Sequence, residues 1–393
     1  MIPRNLEPRL RALARQYPVV TVTGPRQSGK TTLCRAVFPD RAYVSLEPLD
    51  IRELAREDPR GFLAEHAGGA VIDEVQRVPS LLSYLQAEVD ERPDPGRFIL
   101  TGSQHLGLAD GIAQSLAGRT AILHLLPLSL DEVRRFPGAP TDLFGTLWAG
   151  GYPRIHDRGI APNQWLADYV ATYVERDVRA LLHVGDLLAF ATFLKLCAGR
   201  SGAELNLSTL AADSGISHVT ARAWLSVLEQ SFLCLRLPAW HANVRKQLVK
   251  TPKLHFFDSG LCCHLLGIAS ADQLRHHPLR GAIFETWVAS EVYKARANQG
   301  LAPRLAHFRE SRGLEVDLIV DGAEELLAVD AKSGATAATD WLEPLGRFVA
   351  AQARAGETRR VTPRIVYGGE AEHRLRGVAI VPWHRVPAHR WGG

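Results

Sequence analysis

The segment VTGPRQSGKTTLCRAVF, residues 22–38, fits G-x-x-x-x-G-K-[ST] at every fixed position, with Gly24, Gly29, Lys30 and Thr31 in the required slots. No other feature restricts the fold of the chain as strongly. The run Pro18-Val19-Val20-Thr21-Val22-Thr23 predicts a buried strand before the loop, and the residues from Lys30 onward predict a helix. A strand, a glycine-rich turn and a helix N-terminus in that order aim successive backbone N–H groups at one anion, and glycine lets the backbone come close enough. On this reading Gly24, Pro25, Arg26, Gln27, Ser28, Gly29, Lys30, Thr31 and Thr32 cradle the phosphates of ATP. Lys30 reaches the β- and γ-phosphates, and the Thr31 hydroxyl ligates Mg2+.

Such a site needs a second acidic strand. Gly69-Ala70-Val71-Ile72-Asp73-Glu74 is a short apolar run ending in two carboxylates. Asp73 is placed to hold Mg2+ through water and Glu74 to polarise the attacking water, which favours hydrolysis over binding alone. A further apolar run, Arg97-Phe98-Ile99-Leu100-Thr101-Gly102-Ser103-Gln104, ends in small polar residues. The Ser103 hydroxyl or the Gln104 amide there is a candidate sensor of the γ-phosphate. Gly118-Arg119 then precedes the apolar run 120–126.

The order of phosphate loop, IDE at 72–74, LTGS at 100–103 and GR at 118–119 resembles an AAA+ ATPase. It is most similar to the bacterial and archaeal ATPases that carry a C-terminal domain of unknown function. The resemblance spans nearly the whole chain and is strongest over 18–130. It implies an α/β fold with a P-loop core on a parallel sheet, ATP hydrolysis, and a homo-oligomer extending to a hexameric ring. In such an assembly Arg119 acts on a neighbour's nucleotide; a surface arginine capping its turn is the other reading of the same residue.

A chain of 393 residues has room for two or three domains, each able to bury its own core. The balance of 46% hydrophobic and 22% charged residues is that of a soluble globular protein. The net charge of +4 permits a nucleic-acid partner without requiring one. Residues 1–15 are charged, and no apolar run reaches the length of a membrane span, so a cytoplasmic protein with no membrane partner is expected. The five cysteines form no C-x-x-C pair and sit in apolar surroundings, which predicts buried thiols rather than disulfides or zinc ligands.

Turn-rich stretches at 136–140, 198–202 and 276–278 divide the chain into an ATPase core (1–135), a helical connector (136–200), a third segment (201–275) and a last one (276–393). In the connector, Gly150-Gly151-Tyr152-Pro153 is a rigid turn, and a helix is predicted over 163–182. The family resembled repeats this GGYP and the later YVERDV at 173–178, which implies a helical connector and makes Arg154 or Arg176 a candidate nucleotide contact.

In the third segment, residues 207–225 read as helix, glycine turn and helix, with Gly215 at the turn and Ser217 as cap. Val219, Ala223 and Leu225 are expected on the apolar face. Two apolar runs and a basic loop follow, and the whole resembles a winged helix. That resemblance directs His218, Thr220 and Arg222 towards a DNA major groove, with Arg245, Lys246, Lys250 and Lys253 on phosphates. Winged helices also pack against protein surfaces, and the sequence leaves both uses open.

The last segment opens with an amphipathic helix at 284–288 and continues with two strands, 314–320 and 326–332, joined by a hairpin around Asp321-Gly322. Asp317 and Asp330-x-Lys332 then face one another across adjacent strands, where two carboxylates can hold Mg2+ beside a lysine that orients water. This resembles the restriction-endonuclease-like PD-(D/E)xK fold, with Glu285 as the helical acid. Asp330 stands where glutamate is commoner in that family, and its shorter side chain reaches less far. The expected function is Mg2+-dependent ATP hydrolysis coupled to rearrangement of an oligomer on DNA, with metal-dependent cleavage as an added activity. The alternative is a nucleotide-switched protein-interaction ATPase whose nuclease fold is inactive.

Overall fold

The computed structural model describes residues 2–103, 115–174, 186–241, 251–310 and 313–392; Gln104, Arg176, Arg245, Lys246 and Lys250 lie outside the described residues. The chain forms two compact units. One comprises 1–127 with 230–232 and 298–300, and the other comprises 128–229, 233–297 and 301–393.

The first unit runs α1 (Glu7–Ala14), β1 (Val19–Thr23), α2 (Lys30–Val37), β2 (Ala42–Ser45), α3 (Leu49–Glu57), α4 (Pro59–Glu65), β3 (Ala70–Asp73), α5 (Leu81–Glu91), β4 (Phe98–Thr101) and β5 (Thr120–His124). Its strands lie in the order β2-β3-β4-β1-β5, and all the pairings are parallel. Side chains alternate across the sheet as a period of two requires. Val19, Ala70, Ile72, Phe98 and Leu100 pack with residues of α3, α4 and α5. Val20, Val22, Val71 and Ile99 pack with α1 and α2. β1, β3 and β4, buried on both faces, read as continuous apolar runs in the sequence, whereas the edge strand β2, largely exposed, gives no such run and was not expected.

The second unit begins with four short helices, α6 (Leu130–Val133), α7 (Leu143–Ala149), α8 (Pro153–Arg158) and α9 (Pro162–Tyr169), the last passing into a π-helical turn over Val170–Val174. The Gly150-Gly151 pair has a structural cause. Gly150 has φ +68°, and a Cβ there would stand 2.4 Å from a carboxylate oxygen of Asp258. That carboxylate accepts the Gly151 N–H at 2.6 Å. Arg154 is exposed on α8.

Three helices and a strand pair follow: α10 (Leu187–Gly199), α11 (Leu207–Asp213), α12 (His218–Gln230), β6 (Cys234–Leu237) and β7 (Lys253–Phe256). β6 and β7 are antiparallel, and Ser201 and Glu204 form bridges to Leu254 and Lys253. Gly215 adopts φ +69° in the turn before α12, and Ser217 Oγ accepts the Thr220 N–H at 3.0 Å.

Next come α13 (Ser259–Leu265), α14 (Ala271–His276), α15 (Arg280–Asn298), β8 (Leu305–Arg309), β9 (Glu315–Asp321), β10 (Glu325–Lys332), α16 (Leu342–Arg354), β11 (Arg360–Tyr367), β12 (His373–Leu375) and β13 (Val378–Pro382). The strands form one mixed sheet, β12-β13-β11-β10-β9-β8. Its core gathers Val316, Ile319, Leu326, Ala328, Ile365 and Ile380 against Leu345 and Phe348 of α16. The helix expected to be amphipathic, α15, is buried on most of its circumference, including Thr286, Ser290, Glu291 and Lys294. The sequence pattern misled here because Glu291 and Lys294 neutralise each other in the interior at 3.0 Å. All five cysteines are buried and free.

Candidate functional site

The phosphate loop joins β1 to α2 at the carboxyl end of the sheet. Gly24 adopts φ +143°, and a Cβ on it would lie 2.2 Å from the Leu125 carbonyl oxygen, so no other residue fits. Gly29 is left-handed at φ +94° and starts α2. Lys30 is buried, its ammonium donating to the carbonyls of Gly24 at 3.0 Å and Pro25 at 2.8 Å. Burial lowers its pKa to about 8, against the pull of Glu74 and Asp73. The Ser28 hydroxyl is buried with no hydrogen-bond partner among the described residues, an acceptor-seeking group inside the cradle. Arg4 fastens the loop from outside, donating to Ser28 O at 2.7 Å and Leu126 O at 2.9 Å. Thr32 is exposed at the start of α2.

Strand order decides what surrounds Asp73. Because β3 lies between β2 and β4, its terminal carboxylate meets a hydroxyl from each side. Tyr43 Oη donates to Asp73 at 2.8 Å from β2, and Thr101 Oγ1 donates from β4. Thr31 Oγ1 donates from α2 at 3.0 Å. Three neutral donors thus hold the carboxylate without neutralising it. Burial, and then the bond to Asp73, push Tyr43 up to about 12. The Thr31 hydroxyl, the Asp73 carboxylate and the orphaned Ser28 hydroxyl fit a Mg2+-nucleotide: two oxygen donors suited to a hard cation beside a cradle for its phosphates.

Glu74 follows with φ +57°, a left-handed conformation rare outside glycine. The Gln76 amide donates to its carboxylate and, at 3.1 Å, to the buried Ser103 hydroxyl. Gln76 therefore couples the expected general base to the expected γ-phosphate sensor. Arg119 lies just before β5, at the opposite end of the sheet from the phosphate loop, paired with exposed Asp90 at 2.5 Å.

On α12 of the second unit, His218 and Arg222 are exposed and Thr220 bonds to Ser217 at 2.8 Å. The buried face is Ala221, Trp224, Leu225, Val227 and Leu228. The expected apolar face needs correcting: Val219 is 78% exposed and Ala223 is exposed, so only Leu225 of the three faces inward. Ridge and helix turn two residues out of the register that the sequence suggested.

Lys253 is a larger correction. Its side chain is 2% exposed, and its ammonium lies 2.8 Å from Glu285, 2.7 Å from Glu315 and 3.9 Å from Asp317. It offers no charge to a phosphate backbone. Register explains the rest of the cluster. Val329 opposes Leu318, so the next residues, Asp330 and Asp317, meet. The Asp317 N–H donates to Asp330 at 3.3 Å, and the Ala331 N–H donates to Asp317 at 2.9 Å. Lys332 stands 3.5 Å from Asp330. The four residues read from the sequence as a nuclease-like set do come together, with Glu315 and Lys253 added. Burial, then repulsion from Asp317, raise Asp330 to about 7 and Glu285 well above the carboxylate range. Burial would lower Lys253, but Glu285 and Asp317 more than offset it and hold it above its ordinary value.

A divalent ion needs carboxylate oxygens at roughly 2.0–2.6 Å. Here those oxygens already serve two ammonium groups, so the cluster as it stands does not fit a resident metal. Among the described residues, no group of three or more His, Cys, Asp or Glu side chains has the geometry to hold one.

The loop, the acidic strand and the parallel sheet define a P-loop ATPase of the AAA+ class. Family models agree: an AAA domain matches residues 16–134, a domain of unknown function (DUF8612) matches 140–272, and another (DUF4143) matches 280–386. Two uncharacterized proteins, from Mycobacterium tuberculosis and Mycobacterium bovis, are each 32% identical over 325 residues, which is 81% of this chain and 71% of theirs. The chain belongs to the same family as these two proteins, and its own matches place an AAA domain and DUF4143 within it. Among solved structures, a Walker-type ATPase of Pyrococcus abyssi matches with a TM-score of 0.44 at 17% identity, over 67% of this chain and 96% of that one. A RuvB variant from Thermotoga maritima matches at 0.32 and 19%, over 63% and 95%. No helix among the described residues is long and apolar enough to cross a membrane.

Proposed function

We propose that this ATPase couples Mg2+-dependent turnover of ATP to rearrangement of a homo-oligomer, extending to a hexameric ring, on DNA. The observation that carries the nucleotide half is the Asp73 carboxylate held at 3.0 Å by Thr31 and by two further hydroxyls, next to a phosphate cradle with a free buried hydroxyl. Lys30 and the loop N–H groups bind the phosphates; Thr31 and Asp73 would hold Mg2+, which when bound would supply positive charge beside the phosphates. Glu74 accepts the proton of the attacking water, and Ser103 reports the γ-phosphate to it through Gln76. Arg119, remote from its own loop, is assigned to the nucleotide of a neighbouring protomer.

For the DNA half, α10, α11, α12 and the β6–β7 pair have the order of a winged helix, and His218 and Arg222 lie exposed at the start of its second turn helix. Two observations favour the second reading, a nucleotide-switched protein-interaction ATPase with an inactive nuclease fold. Val219 puts an apolar side chain on the same exposed face, and Lys253 occupies the acidic cluster of the C-terminal six-stranded sheet.

ATPase rate, measured with no DNA and with duplex, single-stranded and branched DNA, separates the readings. DNA binding predicts stimulation by at least one form, lost in Arg222→Ala and at high salt, because phosphate contacts release counterions. Equal rates throughout, with no salt-sensitive gel shift, would leave the protein-interaction reading.

A further inference from the structure

We propose that the carboxylate cluster of the C-terminal sheet is a cation site whose resident cation is the ammonium of Lys253, which excludes divalent metal and leaves the domain unable to cleave nucleic acid. The proposal is independent of what the ATPase acts on.

The first support is position. Lys253 begins β7, a strand of the other sheet of this unit, yet its Nζ is shared by Glu285 of α15 at 2.8 Å and Glu315 of β9 at 2.7 Å. Asp317 follows at 3.9 Å. The point where three carboxylates converge is thus filled by a positive charge belonging to the chain itself. The second is confinement. Lys253 is 2% exposed and pairs with Leu237 across β6–β7, with a further bridge to Glu204. A surface lysine could swing aside into solvent for an arriving ion; this one has almost no free surface to swing into. The third is crowding by like charge. A divalent ion could reach the oxygens of Glu285, Glu315 and Asp317 only by standing beside the Lys253 ammonium that already lies 2.8, 2.7 and 3.9 Å from them, and like charges that close repel.

The chemistry names the ligand that the site would take without the lysine. Carboxylate oxygens alone select a hard divalent cation, Mg2+ or Mn2+. Lys253→Met keeps most of the apolar stem and removes the ammonium, with its charge and its N–H donors.

The test counts Mn2+ bound to the full chain by electron paramagnetic resonance, without nucleotide, in wild type, Asp317→Ala, Lys253→Met and the double variant. Wild type and Asp317→Ala are expected to bind equal numbers. Lys253→Met should bind one more per chain, and adding Asp317→Ala should remove it. A cooperative denaturant melt serves as the control that each variant is folded, and the ATPase rate, set in the other unit, should be unchanged. A wild-type count that falls in Asp317→Ala would overturn the proposal, because metal would then displace the lysine; this arm holds even if Lys253→Met fails to fold. An active, folded Lys253→Met with no extra Mn2+ would overturn it equally, as would Mn2+-dependent DNA cleavage by wild type that disappears in Asp317→Ala.

Discussion

The two acidic centres of this chain are built from similar carboxylates and prepared for opposite ends. At the end of β3, Asp73 is held by hydroxyls from Thr31, Tyr43 and Thr101, all neutral. Across β9 and β10, Asp317 and Asp330 share their surroundings with the ammonium groups of Lys253 and Lys332. Neutral donors orient a carboxylate and leave its charge available; an ammonium consumes it. A cation site is therefore recognised by what its partners leave unbalanced, and a count of acids does not reveal it.

The largest expected effect lies at the first centre. Lys30→Ala should abolish nucleotide binding, whereas Glu74→Gln should bind ATP normally and lose turnover by about 10²–10⁴-fold, the usual worth of a positioned general base. Equilibrium binding of a fluorescent ATP analogue alongside steady-state hydrolysis checks both. Normal turnover in Glu74→Gln would move the base elsewhere.

At the second centre the large effect should fall on stability. Lys253→Ala strands buried carboxylates without their cation, and breaking such a pair costs about 3–5 kcal/mol. A denaturant melt should show the loss, and addition of Mn2+ should restore part of it. If Lys253→Ala melts like wild type, the ammonium is dispensable and the contrast between the centres fails.

How far the two centres were legible in the sequence follows from how local each one is. The phosphate loop is contiguous, and Asp73-Glu74 terminates one apolar run, so their residues and order could be read directly. Tyr43 and Thr101 could not be assigned, because only the order β2-β3-β4 brings them to Asp73. Gln76 needed the left-handed Glu74 to turn the chain back. The D…D-x-K pair was legible through hairpin register, but Lys253 lies 32 residues from Glu285 and was read as a phosphate contact. One signal was present: a lysine opening the apolar strand Lys253-Leu254-His255-Phe256 is expensive to bury alone and implies an acidic partner.

A smaller effect sharpens the electrostatics of the first centre. Burial lowers Lys30 to about 8, while bound phosphates favour its ammonium form. Below pH 8 the charge is already present when nucleotide arrives. Above it, binding must take up a proton, so affinity should fall by up to about tenfold per pH unit. Calorimetry at pH 9 in buffers of different ionisation enthalpy should register that proton. Identical heats after buffer correction would mean that Lys30 is charged throughout.

The smallest effect tests whether neutral donors matter singly. Tyr43→Phe removes one of three hydroxyls from Asp73 and leaves the ring, with Arg35 4.7 Å above it, in place. A neutral partner's hydrogen bond is worth about 1 kcal/mol net, so stability should fall by that order. Thr31 and Thr101 still hold the carboxylate, and its charge is untouched. The Mg2+ dependence of hydrolysis should therefore shift by less than about fivefold, the equivalent of that energy. A shift beyond tenfold would mean that Tyr43 sets the charge available at Asp73 as well as its orientation, and the distinction between orienting and neutralising partners would have to be drawn inside the first centre itself.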